Sequence, residues 1–445
     1  KQLIDRVAAA LGSVLIVLTG LAVVGSPLLA ALFAPGFWED EAKFALTSDL
    51  IRITFPYLFF ISMTGLAGAI LNSYDRFAIP AFTPVLLNVS LITSALVAAP
   101  WFDQPAFALA WGVFIAGLVQ MLFQVPFLMR LRLMPRPELN WQDEGVRKIL
   151  TLMMPAIFGV SVSQINLMLD TVIASFLPSG SVSWLYYSDR LAELPLGVFG
   201  VAAATVILPN LSRQHAAKSS QAFSQTLDWA LRFILIIAIP ASAALVILAE
   251  PILMTLFFYG DVMTARDMAM ATLSLRAYAI GLTAFMLIKV LAPGYFARQD
   301  MKTPVKIGVV AMAANMLMNI AFVVPLHSYW QIGHVGLALA TAASALLNAG
   351  LLFIGLIRRN IYMPEAGWLH FFTVLCLSVI GMLATLWWLT TEINGWLAWA
   401  WWQRAGWMAV VCGSGFVCYV VLLWMGGIRL SHLKGARHLP RSEGD

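Results

Sequence analysis

Twelve long apolar runs, separated by short loops, constrain the fold of this chain more than any other feature. A helix that crosses a bilayer needs about 20 mostly apolar residues, and each run reaches about that length. The runs are continuous rather than alternating in polarity, which excludes a transmembrane β-barrel. We therefore predict an all-α polytopic membrane protein with spans near residues 9–33, 48–72, 80–100, 106–128, 148–177, 184–210, 228–258, 268–294, 303–325, 333–357, 366–391 and 402–428.

The composition supports this class. Of the 445 residues, 61% are hydrophobic and 11% are charged, whereas soluble domains carry about 25% charged residues. The net charge of +5 does not indicate a nucleic-acid partner, because the basic residues lie in short loops between the apolar runs. The three cysteines lie inside late apolar runs, which argues against a disulfide framework. No motif in the sequence indicates an oligomer.

The distribution of basic residues predicts the orientation of the spans. Nineteen of the 27 lysines and arginines fall in alternate loops and at both visible ends. The opposite loops contain Lys43, Arg266 and Arg404, beside the acidic run Glu39-Asp40-Glu41. Cytoplasmic loops are enriched in basic residues, so both visible ends are predicted to be cytoplasmic. The basic tail is expected to be solvated there, with a weak attraction to anionic lipid head groups.

The two halves of the chain resemble each other weakly at a nearly constant spacing. Residues 27–33 (PLLAALF) resemble residues 251–257 (PILMTLF), and Arg52 matches Arg276 at the same offset of 224. Each match is weak alone, but several matches in the same order indicate an internal duplication. Six helices per copy is an even number, so the copies are expected to be parallel repeats, as in transporters whose halves rock against each other.

This repeat predicts the domain organisation. The second copy begins with two spans that have no counterpart before residue 9, so we expect about 70 N-terminal residues and two helices to be missing. The whole protein would then have 14 spans, of which 12 are visible. The predicted regions are an N-terminal repeat with four of six helices (1–130), a cytoplasmic linker (131–147), a six-helix repeat (148–360), two extra C-terminal helices (361–428) and a cytoplasmic tail (429–445).

A charged cluster within one predicted span is the strongest candidate for a functional site. Asp189 and Glu193 lie four residues apart on one helical face, and Arg190 lies three residues before Glu193. One interpretation is a neutral ion cluster that only holds helices together. The other is an arginine that faces a cavity and binds phosphate, with the carboxylates orienting it. Pro195 and Gly197 are predicted to loosen the helix beside the cluster.

Oxygen-bearing side chains in three spans form a second candidate site, for a small cation. These side chains are Asp170, Asn315, Asn319 and Thr341. Amide, hydroxyl and carboxylate oxygens could coordinate such an ion, and interhelical hydrogen bonding is the alternative use of the same atoms. No other cofactor or metal is expected, because the six histidines are scattered and the sequence contains no HExxH or GxSxG motif.

Four further basic side chains and a group of tryptophans also lie in or near the spans. Arg232 and Lys289 are expected to extend toward the inner face, and Arg52 and Arg276 are interpreted as structural anchors near the outer face. An interfacial aromatic belt is the main interpretation of the tryptophans, and a sugar-stacking platform is the alternative. They are Trp387, Trp388, Trp396, Trp399, Trp401, Trp402 and Trp407.

Several stretches carry a family resemblance over nearly the whole chain. They are PAIFGVSVSQINLMLDTVIASFLPSGSVSWLYYSDRLAELPLGVFGVA at 155–202, ILPNLSR at 207–213, VLAPGYFARQDMKTPVKI at 290–307, and FALTSDLIRITFPY and GAILNSYDRFAIPAF in the first half. These stretches resemble the MurJ/MviN family of lipid II flippases, within the MOP exporter superfamily. The resemblance implies 14 helices and export of the lipid-linked peptidoglycan precursor across the bacterial inner membrane.

The resemblance also implies roles for particular residues. Arg190, flanked by Asp189 and Glu193, would bind the diphosphate of lipid II in a cationic cavity, and the last two helices would form an apolar groove for the lipid tail. A sodium site of some relatives would fall on the four residues of the candidate cation site. Asn319 stands where a carboxylate is expected in that site, which argues against sodium coupling. Lipid II and membrane lipids are the expected partners.

Other functions remain open at this point. A drug or cation antiporter of the same superfamily would need acidic residues to dominate its cavity, and a flippase for another polyprenyl-linked oligosaccharide would share the same site. A membrane enzyme acting on lipid-linked sugars should have a catalytic Asp, Glu or His cluster at a loop edge, which the sequence does not show. A scaffold role would leave the charge of Arg190 within a span without a purpose.

Overall fold

The computed structural model describes residues 1–136, 138–259, 263–390, 396 and 399–428, without the side chains of residues 150, 152, 154–163 and 201. Within these residues the regular structure is helical throughout, which confirms the predicted all-α class. Eleven helices in this part of the chain are long and apolar enough to cross a membrane. The chain is therefore a multi-pass membrane protein. The predicted tail 429–445 lies outside the described residues.

The chain divides into two compact units, of which the first covers Lys1–Phe176. Its first two predicted spans are each interrupted: one breaks at Gly25, and the other breaks at Pro56, which lacks a backbone N–H for a helical hydrogen bond. The helices of this unit are α1 (Gln2–Val24), α2 (Ser26–Phe33), α3 (Glu41–Thr54), α4 (Tyr57–Ser73), α5 (Ala78–Thr93), α6 (Pro105–Arg130) and α7 (Glu144–Ser175).

Buried amides connect three helices of the first unit. Gln120 Nε2 in α6 donates to the backbone carbonyl of Thr83 in α5 at 3.0 Å, and Gln124 Nε2 donates to the Thr83 hydroxyl at 3.2 Å. Tyr57 in α4 donates its hydroxyl to Gln120 Oε1 at 3.2 Å. Helices in lipid gain little from apolar contact alone, so such interhelical hydrogen bonds help to hold the bundle together.

The second unit begins at Leu177 and is organised around a central helix. Leu275, Leu282 and Met286 of that helix, α11, are completely buried against its neighbours. The longest helix, α10, has 38 residues and is about 57 Å long, so it extends beyond a hydrocarbon core of about 30 Å. The helices of this unit are α8 (Ser181–Pro195), α9 (Val201–Ala216), α10 (Ser220–Phe257), α11 (Ala265–Phe296), α12 (Lys302–Trp330), α13 (Gly333–Arg358), α14 (Trp368–Thr390) and α15 (Trp401–Met425).

The structure also locates the helices around the predicted charged cluster. The predicted span 148–177 corresponds to α7, and the span 184–210 comprises α8, a π-helical turn (Leu196–Gly200) and α9. The π turn directly follows Pro195, in agreement with the predicted loosening of the helix at this point.

The two compact units divide after α7, whereas the predicted second repeat begins before α7. The units reflect packing, so the repeat boundaries stay a prediction.

Candidate functional site

Helix α8 is held in place by one buried face. Ser188 donates its hydroxyl to the backbone carbonyl of Ala271 in α11 at 2.8 Å. The indole N–H of Trp184 donates to Asp267 Oδ1 at 2.9 Å, and the Trp184 ring lies 4.9 Å from the ring of His334 in α13. Because both residues are almost fully buried, they fix the rotation of α8 about its axis.

The opposite face of α8 carries the predicted charged residues. Arg190 Nη1 donates to Glu193 Oε2 at 2.8 Å, and the guanidinium lies 5.2 Å from the ring centroid of Tyr186. The Arg190 and Glu193 side chains are 58% and 52% exposed. Asp189 is half-buried beside them. Among the described residues, Glu193 is the only hydrogen-bond partner of the Arg190 guanidinium, so most of its N–H donors stay available.

The π turn brings a second cation near the end of this segment. Gly200 ends the turn, and a Cβ atom at this glycine would lie 3.5 Å from Cγ of Lys289 in α11. The exposed ammonium group of Lys289 is therefore carried on a stem that packs against the backbone between α8 and α9. The sequence had indicated only that Lys289 extends toward the inner face, because its proximity to Gly200 is a tertiary contact.

The candidate cation-site residues lie in α7, α12 and α13. Asn315 and Asn319 are both buried in α12, and Asn319 Nδ2 donates to Asn315 Oδ1 at 3.3 Å. Thr341 is half-buried in α13. Asp170 is half-buried in α7, in the first unit. The amide pair supports the alternative use of these side chains in hydrogen bonding, and the cation site stays a prediction.

A second ion pair, missed by the sequence analysis, forms what we call the Asp228 cluster: Asp228, Arg232, Tyr362, Trp368 and the Glu365 backbone. Asp228 Oδ2 accepts from Arg232 Nε at 2.7 Å. Its Oδ1 accepts from the Tyr362 hydroxyl at 2.6 Å, the Trp368 indole at 2.8 Å and the Glu365 N–H at 3.2 Å. The cluster thus joins α10 to the segment that leads into α14.

Arg232 makes two further contacts at this cluster, and the Tyr362 hydroxyl stays protonated. The Arg232 guanidinium lies 4.8 Å from the centroid of the Trp368 ring and donates to the Ala366 carbonyl at 3.0 Å. Burial, reinforced by the hydrogen bond to Asp228, raises the pKa of Tyr362 above its usual range, so its hydroxyl remains a donor. Arg232 is thus paired and partly buried, and its predicted extension toward the inner face stays a prediction.

An apolar groove lies between α10, α14 and α15. It has a volume of about 630 Å³, and the side chains around it include Phe233, Pro240, Met382, Phe416 and Tyr419. Pro240 has no backbone N–H, so the carbonyl of Ile236, four residues earlier, lacks its helical donor. The Tyr419 hydroxyl donates to that carbonyl at 2.6 Å. A membrane offers no water to satisfy such a group, so Tyr419 stabilises the proline-containing helix beside the groove.

Arg404 connects the N-terminal end of α15 to the C-terminal end of α10. It is 5% exposed and donates to the backbone carbonyls of Met254 and Phe258, at 3.2 and 3.0 Å. These carbonyls lie at the C-terminal end of α10, where a cation also interacts favourably with the helix dipole. Two of the late tryptophans, Trp396 and Trp399, stack with ring centroids 5.8 Å apart, and Trp396 is 1% exposed. Trp396 is therefore a packing residue rather than part of an exposed belt.

The fold resembles that of transporters in the MOP superfamily. An inward-facing multidrug resistance MATE family transporter of that superfamily aligns with a TM-score of 0.64 and 16% identity, over 80% of this chain and 81% of the other. A structure of "Lipid II flippase MurJ, inward closed conformation" aligns with a TM-score of 0.77 and 22% identity, over 96% of this chain and 85% of the other. These similarities show that the chain has the fold of MOP-superfamily transporters.

Sequence comparison identifies the family. A family profile described as "Lipid II flippase MurJ" matches residues 1–400. A "Probable lipid II flippase MurJ" from Vibrio cholerae is 47% identical over 98% of this chain and 83% of its own length. A relative of the same description from Haemophilus influenzae is 46% identical over 97% of this chain and 86% of its own length. The chain belongs to the lipid II flippase MurJ family, whose members are transporters rather than enzymes.

Proposed function

We propose that this protein moves lipid II, the lipid-linked peptidoglycan precursor, from the inner to the outer leaflet of the bacterial inner membrane. The head group of such a lipid carries a diphosphate, and charges in hydrocarbon cost many kcal/mol. A protein that moves it must therefore replace the water around the phosphates with its own donors. The observation that carries the proposal is the exposed guanidinium of Arg190, on the face of α8 opposite its buried face.

The geometry around Arg190 suits diphosphate binding. The planar guanidinium can donate two parallel hydrogen bonds to phosphate oxygens, and a lysine ammonium does not reproduce this bidentate geometry. Glu193 contacts one nitrogen and leaves the others for the ligand. We assign Asp189 and Glu193 to orienting the arginine and limiting the net positive charge of the site. Such a balance allows the phosphates to leave after transport as well as to bind.

The apolar groove between α10, α14 and α15 suits the polyprenyl tail. Its lining is almost entirely aliphatic and aromatic, so an isoprenoid chain could remain there while the head group crosses. Two exposed aromatic side chains, Phe416 and Trp424, border the groove and offer contact to a chain that arrives from the lipid. In this proposal the head group and the tail follow different routes through the same protein.

Alternating access driven by the membrane potential completes the mechanism that we propose. With the inside negative, a potential of 100 mV favours outward passage of each negative charge by about 2.3 kcal/mol, which removes the need for a coupled ion. Asp170, Asn315, Asn319 and Thr341 remain the candidates for a sodium ion if transport depends on a sodium gradient. Both visible ends of the chain are cytoplasmic in this proposal, as the positions of the basic loops predict.

The test is to deplete the full-length protein in its own host. We expect lipid II to accumulate in the inner leaflet. A head-group probe that reaches only the outer leaflet should then bind less lipid II. Complementation with Arg190→Ala should fail at normal expression, whereas Arg213→Gln should restore growth. Arg213 is the matched control, because it is also exposed and makes one local hydrogen bond, to Asn210. Normal lipid II distribution after depletion would contradict the proposal.

An antiporter for drugs or cations is the alternative that the shared fold keeps open. It predicts that acidic residues carry the activity, so Arg190→Ala would leave cation export intact while Asp170→Asn would abolish it. A flippase for another polyprenyl-linked oligosaccharide would keep the dependence on Arg190 but would leave lipid II in place after depletion. The lipid II distribution after depletion, together with strains complemented by Arg190→Ala or Asp170→Asn, separates these cases.

A further inference from the structure

A second polar site lies in the membrane-spanning part of the second unit, away from α8. It is a cavity of about 420 Å³ between α10, α11 and α14, lined by Val246, Ile247, Glu250, Arg276, Trp387 and Thr390. The cavity lies near the ends of these helices that the basic-loop pattern predicts to face outward. Glu250 is seven residues, or about 10 Å, from the last residue of α10.

Glu250 and Arg276 share this cavity without forming an ion pair. Arg276 Nε donates to the backbone carbonyl of Val246, the residue one helical turn before Glu250, at 3.1 Å. Both side chains are half-buried. Within the described residues, no hydrogen bond or ion pair engages the Glu250 carboxylate or the two terminal nitrogens of Arg276. Two side chains of opposite charge, one in α10 and one in α11, are thus left available for a ligand.

A purely structural role for Arg276 does not account for this arrangement. A link between α11 and the Val246 carbonyl uses one N–H group, and the remaining donors point to no described protein acceptor. Charged groups in the membrane normally pair with each other or line a functional path. Because Glu250 and Arg276 line one cavity without pairing, the cavity presents one charge of each sign to a ligand.

We infer that this cavity binds the head group of a zwitterionic phospholipid with a primary amine, a phosphoethanolamine lipid. Arg276 would hold the phosphate through its terminal N–H groups, and Glu250 would accept hydrogen bonds from the ammonium. The net charge of the two residues is zero, which matches a neutral zwitterion better than an anionic lipid. This inference does not depend on which substrate the protein transports.

Trp387 identifies the lipid bilayer, rather than the aqueous phase, as the source of the ligand. Its side chain borders the cavity and is 64% exposed on the membrane-spanning helix α14. Tryptophan favours the level of the lipid head groups, where its ring contacts acyl chains and its N–H contacts polar groups. The exposed Trp387 at the edge of the cavity therefore favours a ligand that comes from the bilayer.

The experiment measures which lipids the purified full-length protein retains. The protein is equilibrated in detergent micelles containing equal amounts of phosphatidylethanolamine, phosphatidylcholine and phosphatidylglycerol, and native mass spectrometry counts the lipids bound. We expect phosphatidylethanolamine to be retained preferentially. Glu250→Gln should reduce its apparent affinity about tenfold, which corresponds to one charge-assisted hydrogen bond. Arg276→Gln should reduce it similarly.

Matched variants and competitors keep the test decisive. Arg52→Gln is the control, since Arg52 matches Arg276 in the sequence repeat but pairs with Asp49 at 3.2 Å; it should keep the preference. Soluble glycerophosphoethanolamine should not compete at the same concentration. Equal retention of phosphatidylcholine, an unchanged preference in Glu250→Gln, or full competition by the soluble head group would each overturn the inference. Glu250→Gln preserves size and shape, so the test stands even if Arg276→Gln fails to fold.

Discussion

Two arginine–carboxylate pairs in the second unit have nearly the same local geometry and very different surroundings. Arg190 and Glu193 are three residues apart in α8, with side chains 58% and 52% exposed. Arg232 and Asp228 are four residues apart in α10, and the Asp228 side chain is 2% exposed. The Asp228 carboxylate accepts four hydrogen bonds, whereas Arg190 has one protein partner among the described residues.

The comparison shows that a charge within a span does not by itself mark a binding site. The buried Asp228 carboxylate already accepts four hydrogen bonds from its own protein, so the pair serves to join helices. The exposed pair contributes little to stability, because solvent screens it, and it retains donors for a ligand. The following variants should separate these roles, from the largest effect on stability to the smallest.

Asp228→Asn should destabilise the protein most. The substitution leaves Arg232 without its counter-ion and places an amide where three donors converge on one oxygen. Breaking a buried ion pair costs about 3–5 kcal/mol, and the lower end applies here because Arg232 is 25% exposed. Thermal unfolding of the purified protein measures the loss. Arg359→Gln, which breaks the more exposed pair with Asp300, is the control and should cost about 1 kcal/mol or less; equal losses would contradict the distinction.

Tyr419→Phe should have an intermediate effect. The Ile236 carbonyl, which Pro240 already deprives of a helical donor, would lose the Tyr419 hydroxyl as well. An unsatisfied buried acceptor costs about 1–3 kcal/mol, and the same unfolding experiment detects it. Tyr329→Phe should be neutral, because Tyr329 is 78% exposed. An unchanged unfolding temperature for Tyr419→Phe would show that the carbonyl finds another donor.

A small pH effect should come from Asp300, in the loop between α11 and α12. Hydrogen bonds from the Thr303 side chain and backbone, supported by Arg359, hold the pKa of Asp300 below its usual range. Because the folded pKa is depressed, this stabilisation is complete above the unfolded value of about 3.9 and is lost as the pH falls toward the folded value. The unfolding temperature should therefore decrease less below about pH 4 in Asp300→Asn than in the unchanged protein. Parallel curves would exclude this contribution.

The sequence predicted the helices well because hydrophobic length is a local property. The predicted span 333–357 corresponds to α13 (Gly333–Arg358), and the span 402–428 to α15 (Trp401–Met425). It also predicted a loosened helix after Pro195, where the structure has a π turn. Breaks within spans, such as the one at Pro56 between α3 and α4, were missed because the apolar run continues through them.

Tertiary partners could not be predicted in the same way. The i,i+3 spacing of Arg190 and Glu193 is visible in the sequence, and the structure shows the corresponding hydrogen bond. Three of the four donors to Asp228 come from residues more than 130 positions away, so no local pattern indicates them. Asp228 and Tyr419 are therefore residues that only the folded chain identifies, and both connect α10 to later parts of the chain.

The most direct test of the account is to measure transport and stability together for Arg190→Ala. Lipid II flipping by the reconstituted full-length protein should be abolished, and the unfolding temperature should hardly change, because an exposed i,i+3 pair contributes only about 0.3–0.5 kcal/mol. Arg190→Lys should keep the fold and the positive charge but restore little transport, since lysine lacks the planar guanidinium. Normal flipping by Arg190→Ala, or a loss of stability as large as that of Asp228→Asn, would contradict the account.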